Sequence, residues 1–219
     1  MYKYVIFDLD GTLLDTLEDL ADATNWVCEQ HGWPAHPVEA YKNFVGDGAP
    51  KLLERVTPKN VELTPQLREQ LLEEFTARYT AHKADKTIVY AGMPKTLARL
   101  KEAGVSVAVL TNKPDGAAGP IVERYYPGVF PIIQGALPDL PTKPDPTLLR
   151  RLMERMGAVP EETLFVGDSN VDIRTAKNGG LTGCGVLWGF RTRRELEAEG
   201  ADYIVETPAQ LKELILGHE

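Results

Sequence analysis

The chain has 219 residues, of which 43% are hydrophobic and 26% are charged, which is ordinary for a globular protein of one large or two small domains. Its net charge of −8 argues against general binding to nucleic acid or to a membrane surface, because both are anionic. Cys28 and Cys184 are far apart and lack metal-ligand spacing, so we expect a reducing compartment and no disulfide. We find no signal peptide and no apolar run of the ~20 residues that a membrane span needs, and we expect a soluble, cytoplasmic protein.

The first predicted element is a short apolar and aromatic strand over residues 2–7, and Asp8 and Asp10 come directly after it. Two carboxylates this close are costly at the end of a buried strand, because Asp is a poor strand residue and like charges repel where water is scarce. Gly11 allows a tight turn after them, and Thr12 can cap the next segment. The carboxyl end of a strand in an open α/β sheet is where ligands bind, so the acidic pair predicts a functional site.

Residues 16–83 contain no convincing strand and form a block of predicted helices. The helical patterns cover residues 16–30, 38–44, 49–56 and 66–82. In the last of them, apolar side chains recur at every fourth position, as Leu67, Leu71, Phe75 and Tyr79. This stripe is typical of the buried face of a helix.

Strand and helix alternate again from residue 88 onwards. The predicted strands are residues 88–90, 105–110, 163–166, 185–188 and 203–205, and the predicted helices are 94–103, 145–157, 171–178 and one starting at Thr207-Pro208. Such alternation implies a parallel sheet with helices on both faces. We therefore expect an α/β, Rossmann-like core domain of residues 1–15 and 84–219, with a small all-helical domain of residues 16–83 inserted after the first strand.

Polar residues suited to phosphate chemistry stand at the ends of three of the predicted strands. In chain order these residues, with a lysine that precedes a predicted helix, are Asp8, Asp10, Thr111, Asn112, Lys143, Asp168 and Asp172. Each has a plain structural explanation when taken alone: a turn, a solvated loop lysine or a helix cap. Because the carboxyl ends of parallel strands lie along one edge, their occurrence together and in this order favours one shared site.

These residues and their order resemble the haloacid dehalogenase superfamily. The resemblance runs through the whole chain, and the helical insert falls where that superfamily carries a small helical cap domain. Three segments, residues 44–49, 110–114 and 165–169, resemble the phosphoglycolate phosphatase branch. The resemblance implies a Mg²⁺-dependent phosphatase for a small phosphorylated metabolite, with 2-phosphoglycolate the favoured substrate.

The resemblance also implies a role for each site residue. Asp8 would attack phosphorus and form an aspartyl phosphate, and Asp10 would protonate the leaving alkoxide and then activate water. The metal ligands would be Asp8, the backbone carbonyl of Asp10, and Asp168. Asp172 would hold a metal-bound water or orient Asp168.

The remaining implied roles concern the phosphoryl group. Its oxygens would be neutralised by the Thr111 hydroxyl, the Asn112 backbone N–H and the Lys143 ammonium. Lys143 would also screen Asp8 from Asp168. Phosphomonoester hydrolysis is among the slowest uncatalysed reactions, so this much fixed charge is proportionate to the task.

Other candidates carry weaker signals. Gly46, Asp47 and Gly48 do not form a P-loop, because no Lys-Ser or Lys-Thr stands after them at the required spacing; the segment is either a cap loop that touches substrate or a plain turn. Residues 191–194 predict a solvated helix start. Lys51 and Arg55 lie on one face of a predicted helix and are either surface charges or contacts for a substrate anion.

Two alternative functions stay open at this point. A sugar phosphomutase of the same superfamily would use the same aspartyl phosphate and return the phosphoryl group to a sugar. A receiver-like signalling module would also gather Asp, Thr and Lys at strand ends around Mg²⁺, but its motif order differs and it has no helical insert. The expected assembly is a monomer or a homodimer.

Overall fold

The computed structural model describes residues 1–217 of the chain. The strands are β1 Tyr4–Phe7, β2 Leu14–Asp15, β3 Ile88–Val89, β4 Ser106–Pro114, β5 Ile132–Ala136, β6 Thr163–Gly167, β7 Thr182–Val186 and β8 Tyr203–Val205. The α-helices are α1 Leu17–Gln30, α2 Val38–Phe44, α3 Ala49–Val56, α4 Pro65–His82, α5 Met93–Glu102, α6 Asp115–Tyr125, α7 Thr147–Met156, α8 Asn170–Gly179, α9 Arg193–Glu199 and α10 Pro208–Leu216. A short 3₁₀-helix, Pro160–Glu162, precedes β6.

Six strands form one parallel sheet in the order β5-β4-β1-β6-β7-β8. β1 lies between β4 and β6, and Phe7 at its end pairs with Val109 on one side and Val166 on the other. The α/β fold class predicted from the alternation of strands and helices is confirmed.

Both faces of this sheet are buried, because successive side chains of a strand point to opposite faces. Val5 and Phe7 pack in a cluster with residues of α5, α6 and α10, whereas Ile6 packs with residues of α7 and α8. The side chains of Val5, Ile6 and Phe7 are all fully buried. Helices on both faces leave only the strand ends for polar chemistry, which is the arrangement expected of a parallel sheet.

The chain divides into two compact units, Met1–Asp15 with Val89–Glu219, and Thr16–Ile88. The sequence placed the second boundary after residue 83, whereas the division falls after Ile88. Hydrogen bonds explain the difference: the buried Asp19 carboxylate accepts from the backbone N–H groups of Lys86 (3.0 Å) and Thr87 (2.8 Å) and from the Thr87 hydroxyl (2.6 Å). These bonds tie the segment after α4 to α1 of the helical unit.

The helical unit consists of α1 to α4. Within the predicted stripe of α4, Leu71, Phe75 and Tyr79 are buried, and the rings of Phe75 and Tyr79 stack with centroids 5.5 Å apart. Leu67, the first residue of the stripe, is only half-buried. Thr64 caps the helix by accepting from the Leu67 N–H, which the Thr-Pro sequence predicts.

The structure contains one helix and two strands that the sequence did not indicate, namely α6, β5 and the two-residue β2. Gly116, Gly119 and Pro120 lie within α6, and glycine and proline have the lowest helix propensities, so packing against the sheet overrides the local preference. β7 ends at Val186, so the prediction of a strand over residues 185–188 was shifted towards the carboxyl end. No helix between residues 1 and 217 has both the length and the hydropathy that crossing a bilayer requires.

Candidate active site

The carboxyl ends of β1, β4 and β6 bring the predicted core-unit residues together at one edge of the sheet. Asp8 comes directly after β1, Thr111 and Asn112 lie near the end of β4, and Asp168 comes directly after β6. Most of the predicted residues are buried, namely Asp8, Thr111, Asn112, Lys143, Asp168 and Asp172, and Asp10 is half-buried. Burial of this many polar groups needs specific pairing, because an unpaired buried charge is costly.

Lys143 provides that pairing for two of the carboxylates. Its Nζ lies 2.8 Å from Asp8 Oδ1 and 2.7 Å from Asp172 Oδ1, and its side chain is 2% exposed. The contact with Asp172 is a hydrogen bond, and the contact with Asp8 is a buried ion pair. Burial alone would lower the pKa of Lys143, but the charges of Asp172 and Asp8 raise it above its ordinary value.

Asn112 holds the backbone of Lys143. Its side-chain amide donates to the Lys143 carbonyl (3.0 Å), and its amide oxygen accepts from the Lys143 N–H (2.8 Å). The sequence suggested only the backbone N–H of Asn112 as a functional group. The structure adds a positioning contact that links the end of β4 to the loop before α7.

Asp172 has both carboxylate oxygens occupied. Oδ1 accepts from Lys143, and Oδ2 accepts from the backbone N–H (3.0 Å) and the hydroxyl (2.6 Å) of Ser169. Ser169 and Asp172 thereby form the capping box that begins α8. Asp172 is therefore fixed by the helix start and in turn fixes the ammonium beside Asp8.

The Asp168 carboxylate is held by one backbone group and one side chain. Its Oδ2 accepts from the backbone N–H of Phe190 at 2.7 Å, and Oδ1 receives a longer contact of 3.4 Å from the Thr12 hydroxyl. A Cβ at Gly11 would lie 2.4 Å from the Asp168 carboxylate, and one at Gly189 would lie 2.3 Å from Asp168 Cβ and from the Gly11 carbonyl oxygen. Gly11 also has φ +84°, so only glycine fits there without strain.

Burial raises the pKa values of the Asp8 and Asp168 carboxylates, and nearby cations offset only part of this rise. Burial, and then the charge of Asp172, raises the pKa of Asp8 to about 7, although Lys143 opposes this. Burial, together with the charges of Asp172 and Asp8, raises the pKa of Asp168 well above its ordinary value, and the Phe190 N–H and Arg191 oppose that rise. The cluster therefore carries more buried negative charge than the protein's own cations balance.

These carboxylates suit a divalent metal ion. Oxygen atoms of Asp8, Asp168 and Asp172 lie within 4.8 Å of one another, and all three residues are buried. Carboxylate oxygens are the ligands of hard cations such as Mg²⁺, and a bound cation would relieve the repulsion that raises the carboxylate pKa values. The residues present thus fit the metal that the resemblance implies.

The sequence did not single out Lys113, which belongs to the same edge. Its side chain is 3% exposed, and its Nζ lies 3.2 Å from Asp10 Oδ2. The available signal was its position directly after Thr111 and Asn112 at a strand end, but a lysine in such a place is ordinarily solvated.

Three groups of the segment after β7 were also missed: the Phe190 N–H, Arg191, and Trp188, whose Nε1 donates to the Thr12 carbonyl at 3.0 Å. Thr192 does cap α9, as the predicted helix start requires. Arg191, however, was predicted to be merely solvated, and its charge instead acts on Asp168, whose pKa it lowers.

Gly46, Asp47 and Gly48 lie in the helical unit, between α2 and α3, and are half-buried. Arg55 of α3 donates to the Phe44 carbonyl (2.7 Å) and to Asp47 Oδ2 (2.5 Å), so it holds the loop between α2 and α3. Lys51, the other cation of this helix face, pairs with Glu54.

Comparison with known proteins identifies the family to which this site belongs. Residues 5–186 match the family model described as haloacid dehalogenase-like hydrolase. The chain belongs to the haloacid dehalogenase-like hydrolase family. The resemblance drawn from the motifs is thereby confirmed, and the protein is an enzyme of the hydrolase class.

The relatives narrow the comparison to one branch of that family. A protein of Pseudomonas putida named phosphoglycolate phosphatase is 36% identical over 210 residues, which cover 93% of this chain and 76% of the relative. A protein of Vibrio vulnificus with the same name is 34% identical over 221 residues, covering 98% and 96%. A solved structure from Lactobacillus delbrueckii subsp. bulgaricus, assigned as a phosphoglycolate phosphatase, superposes with a TM-score of 0.91 at 33% identity over 99% of both chains.

Proposed function

We propose that the protein is a Mg²⁺-dependent phosphatase that hydrolyses a small phosphomonoester, 2-phosphoglycolate in the first place, through an aspartyl-phosphate intermediate. The observation that carries this proposal is the buried Asp8 carboxylate at the end of the central strand, paired with Lys143 2.8 Å away and adjacent to Asp168. The names of the relatives from Pseudomonas and Vibrio support the choice of substrate.

Asp8 is the proposed nucleophile. One of its oxygens attacks phosphorus, the phosphorus–oxygen bond to the leaving group breaks, and the products of this step are an acyl phosphate and an alcohol. Asp10 supplies the proton that the departing alkoxide takes up. In the second step Asp10 removes a proton from the attacking water, and the acyl phosphate is cleaved to free phosphate and the Asp8 carboxylate.

The proposed phosphoryl cradle consists of Thr111, Asn112 and Lys143. The Thr111 hydroxyl oxygen accepts from the Lys113 backbone N–H at 3.2 Å, which leaves its O–H to donate to a phosphoryl oxygen. The bidentate amide contact of Asn112 fixes the backbone of Lys143. Donors that are fixed before the reaction stabilise the transferring group without reorganisation.

Asp8, the backbone carbonyl of Asp10, and Asp168 would hold the Mg²⁺ ion, with Asp172 in a supporting position. When bound, the cation neutralises charge on the phosphoryl oxygens. The contacts of Asp168 with the Phe190 N–H and the Thr12 hydroxyl keep its carboxylate at the edge. The capping box keeps Asp172 on Lys143.

The helical unit is proposed to be the cap domain, and Gly46, Asp47 and Gly48 remain proposed substrate-contacting residues. The hydrogen bonds from Arg55 give their loop a defined shape. The proposed location is the cytoplasm, for which the free, buried Cys28 and Cys184 are suited. A monomer or a homodimer is the proposed assembly.

The test is phosphate release from a panel headed by 2-phosphoglycolate, with sugar phosphates and nucleotides, in Mg²⁺ and in excess chelator. A clear preference for 2-phosphoglycolate that the chelator abolishes is the expected result. Metal-dependent release at similar rates from many esters would overturn 2-phosphoglycolate as the preferred substrate but would be consistent with the proposed mechanism. No release from any ester would overturn the phosphatase itself, and a stable acyl phosphate or a requirement for a bisphosphate would then point to a receiver or a mutase.

A further inference from the structure

Lys113 is a buried cation that has no role in the proposed hydrolysis. It lies at the end of β4, its side chain is 3% exposed, and its Nζ is 3.2 Å from Asp10 Oδ2. Taking an ammonium out of water is costly unless nearby anions compensate for the lost hydration. A lysine in this place therefore calls for an explanation beyond packing.

Two lysines are buried among residues 1–217, Lys113 and Lys143. Lys143 is held between Asp8 and Asp172, so its charge serves the nucleophile and the phosphoryl oxygens. Lys113 is the other buried ammonium of the core unit, and it pairs with the proposed acid instead of the proposed nucleophile. The two lysines thus mark two different parts of the site.

The contact with Asp10 locates Lys113 relative to the substrate. A general acid must lie within hydrogen-bond reach of the atom that it protonates, about 2.6–3.2 Å, so Asp10 faces the oxygen of the leaving group. An ammonium 3.2 Å from the Asp10 carboxylate consequently lies beside the leaving group. In 2-phosphoglycolate the carboxylate is attached to the carbon that bears this oxygen.

We propose that Lys113 binds a carboxylate of the leaving group and so selects phosphomonoesters of hydroxy acids over those of neutral alcohols. An ammonium has three donors, so Lys113 can hold Asp10 and a substrate carboxylate together, as Lys143 holds Asp8 and Asp172. Lys113 is thus a specificity-determining residue. The inference rests on the proposed phosphatase function and adds the residue that selects its substrate.

The experiment compares two esters of similar size on the wild-type protein and on Lys113→Met. The esters are 2-phosphoglycolate and ethyl phosphate, in which a methyl group replaces the carboxylate. For the variant, we expect the ratio of kcat/KM values, 2-phosphoglycolate over ethyl phosphate, to fall by about 10- to 100-fold, which is the range for losing a hydrogen bond to a charged group. Lys95→Met, the same change at an exposed position of α5, is the matched control and should keep the wild-type ratio.

The outcomes separate this inference from the proposed function. A wild-type protein that hydrolyses neither ester overturns both. If the wild-type protein is active and Lys113→Met lowers both kcat/KM values equally, Lys113 acts only through Asp10 and the inference is wrong. An unchanged ratio with unchanged rates overturns it as well.

A second measurement covers the case in which Lys113→Met does not fold. Wild-type hydrolysis of 2-phosphoglycolate is inhibited with 3-phosphonopropionate or with propylphosphonate, which lacks the carboxylate; neither has a cleavable ester bond. We expect the inhibition constant of 3-phosphonopropionate to be about 10-fold lower or more, and Lys113→Gln, which keeps a polar side chain and removes the charge, should narrow this difference. Equal inhibition of the wild-type protein by the two compounds would overturn the inference.

Discussion

Lys143 and Lys86 make the same kind of contact in two different environments. Each ammonium lies between two carboxylates, Lys143 as described above and Lys86 at 2.7 Å from Asp22 and 3.5 Å from Glu18. The Lys143 side chain is 2% exposed, whereas that of Lys86 is 48% exposed. The lysine of the helical unit is thus exposed to water, whereas the lysine of the sheet edge is shielded from water.

Burial, more than contact geometry, decides what such a cluster can do. In water, the attraction between an ammonium and a carboxylate is screened and contributes little. At the sheet edge the same attraction is strong, but the cost of removing charge from water is large as well. Burial accordingly raises the pKa of Asp8 to about 7 even though an ammonium lies beside it.

The largest expected effect is on turnover, and it compares Asp8→Asn with Asp22→Asn. Each change removes one carboxylate charge from its lysine and keeps the size of the side chain. We expect Asp8→Asn to lower kcat for the best ester by about 10³-fold or more, because an amide is no nucleophile for phosphorus. Asp22→Asn should keep wild-type turnover. Substantial residual turnover of Asp8→Asn, measured by phosphate release, would rule out the aspartyl-phosphate route.

The next effect is on stability, and it compares Lys143→Met with Lys86→Met. Removing the buried ammonium leaves the Asp8 and Asp172 carboxylates without their cation, which is expected to cost about 3 kcal/mol of the free energy of unfolding. Lys86→Met should cause no measurable loss, because its carboxylates stay hydrated. Urea denaturation in the presence of chelator gives both values. Similar losses in the two variants would contradict the role assigned to burial.

Metal binding should stabilise the sheet edge. Because the ion binds the folded state alone, Mg²⁺ at 100 times its Kd is expected to add about 2.7 kcal/mol to the free energy of unfolding. Chelator should reverse the gain, and Asp168→Asn should remove most of it, since Asp168 is a proposed ligand. Thermal denaturation at constant ionic strength measures the effect. An Asp168→Asn variant that gains as much as the wild-type protein would place the metal elsewhere.

The smallest effect, taken per pH unit, is the pH dependence of the stability of the metal-free protein. The pKa of Asp8 is raised in the folded state, so between about pH 4 and pH 7 the folded protein binds more protons than the unfolded chain. The contribution of this proton to the free energy of unfolding is therefore fully present below about pH 4. It is lost as the pH rises towards 7, by at most ~1.4 kcal/mol per pH unit. Asp8→Asn should make this slope shallower, with the remainder due to Asp168. Denaturation curves in chelator at several pH values measure the slope, and an equal slope in both proteins would contradict the buried charge of Asp8.

Some of this arrangement could be read from local patterns. Asp8 and Asp10 stand directly after an apolar run, and Asp168 does so too, so their place at strand ends is set by short-range hydropathy and by the rule that strand ends meet at one edge. Two of the elements that escaped prediction, α6 and β5, were missed for a local reason as well. Their glycines and a proline suppress the helical and strand signals, and packing on the sheet restores the structure.

Other site contacts could not be predicted by local rules. Every residue except proline has a backbone N–H, so nothing in the sequence distinguishes the N–H of Phe190 as the donor to Asp168. The side chain of Asn112 pairs with a backbone 31 residues away, and such a partner depends on where the chain returns. The burial of Lys113 and its pairing with Asp10 likewise depend on the fold.

The sequence by itself determined the fold class, the order of the strand-end motifs and the residue types available for chemistry, because alternating hydropathy and turn residues act over short stretches of chain. The tertiary structure decided the environment of each charge. It placed Lys143 between two buried acids and left Lys86 in water, and it brought Lys113 to Asp10. The physical reason is that the cost of removing a charge from water depends on all the neighbours that surround it, and those neighbours come from distant parts of the chain.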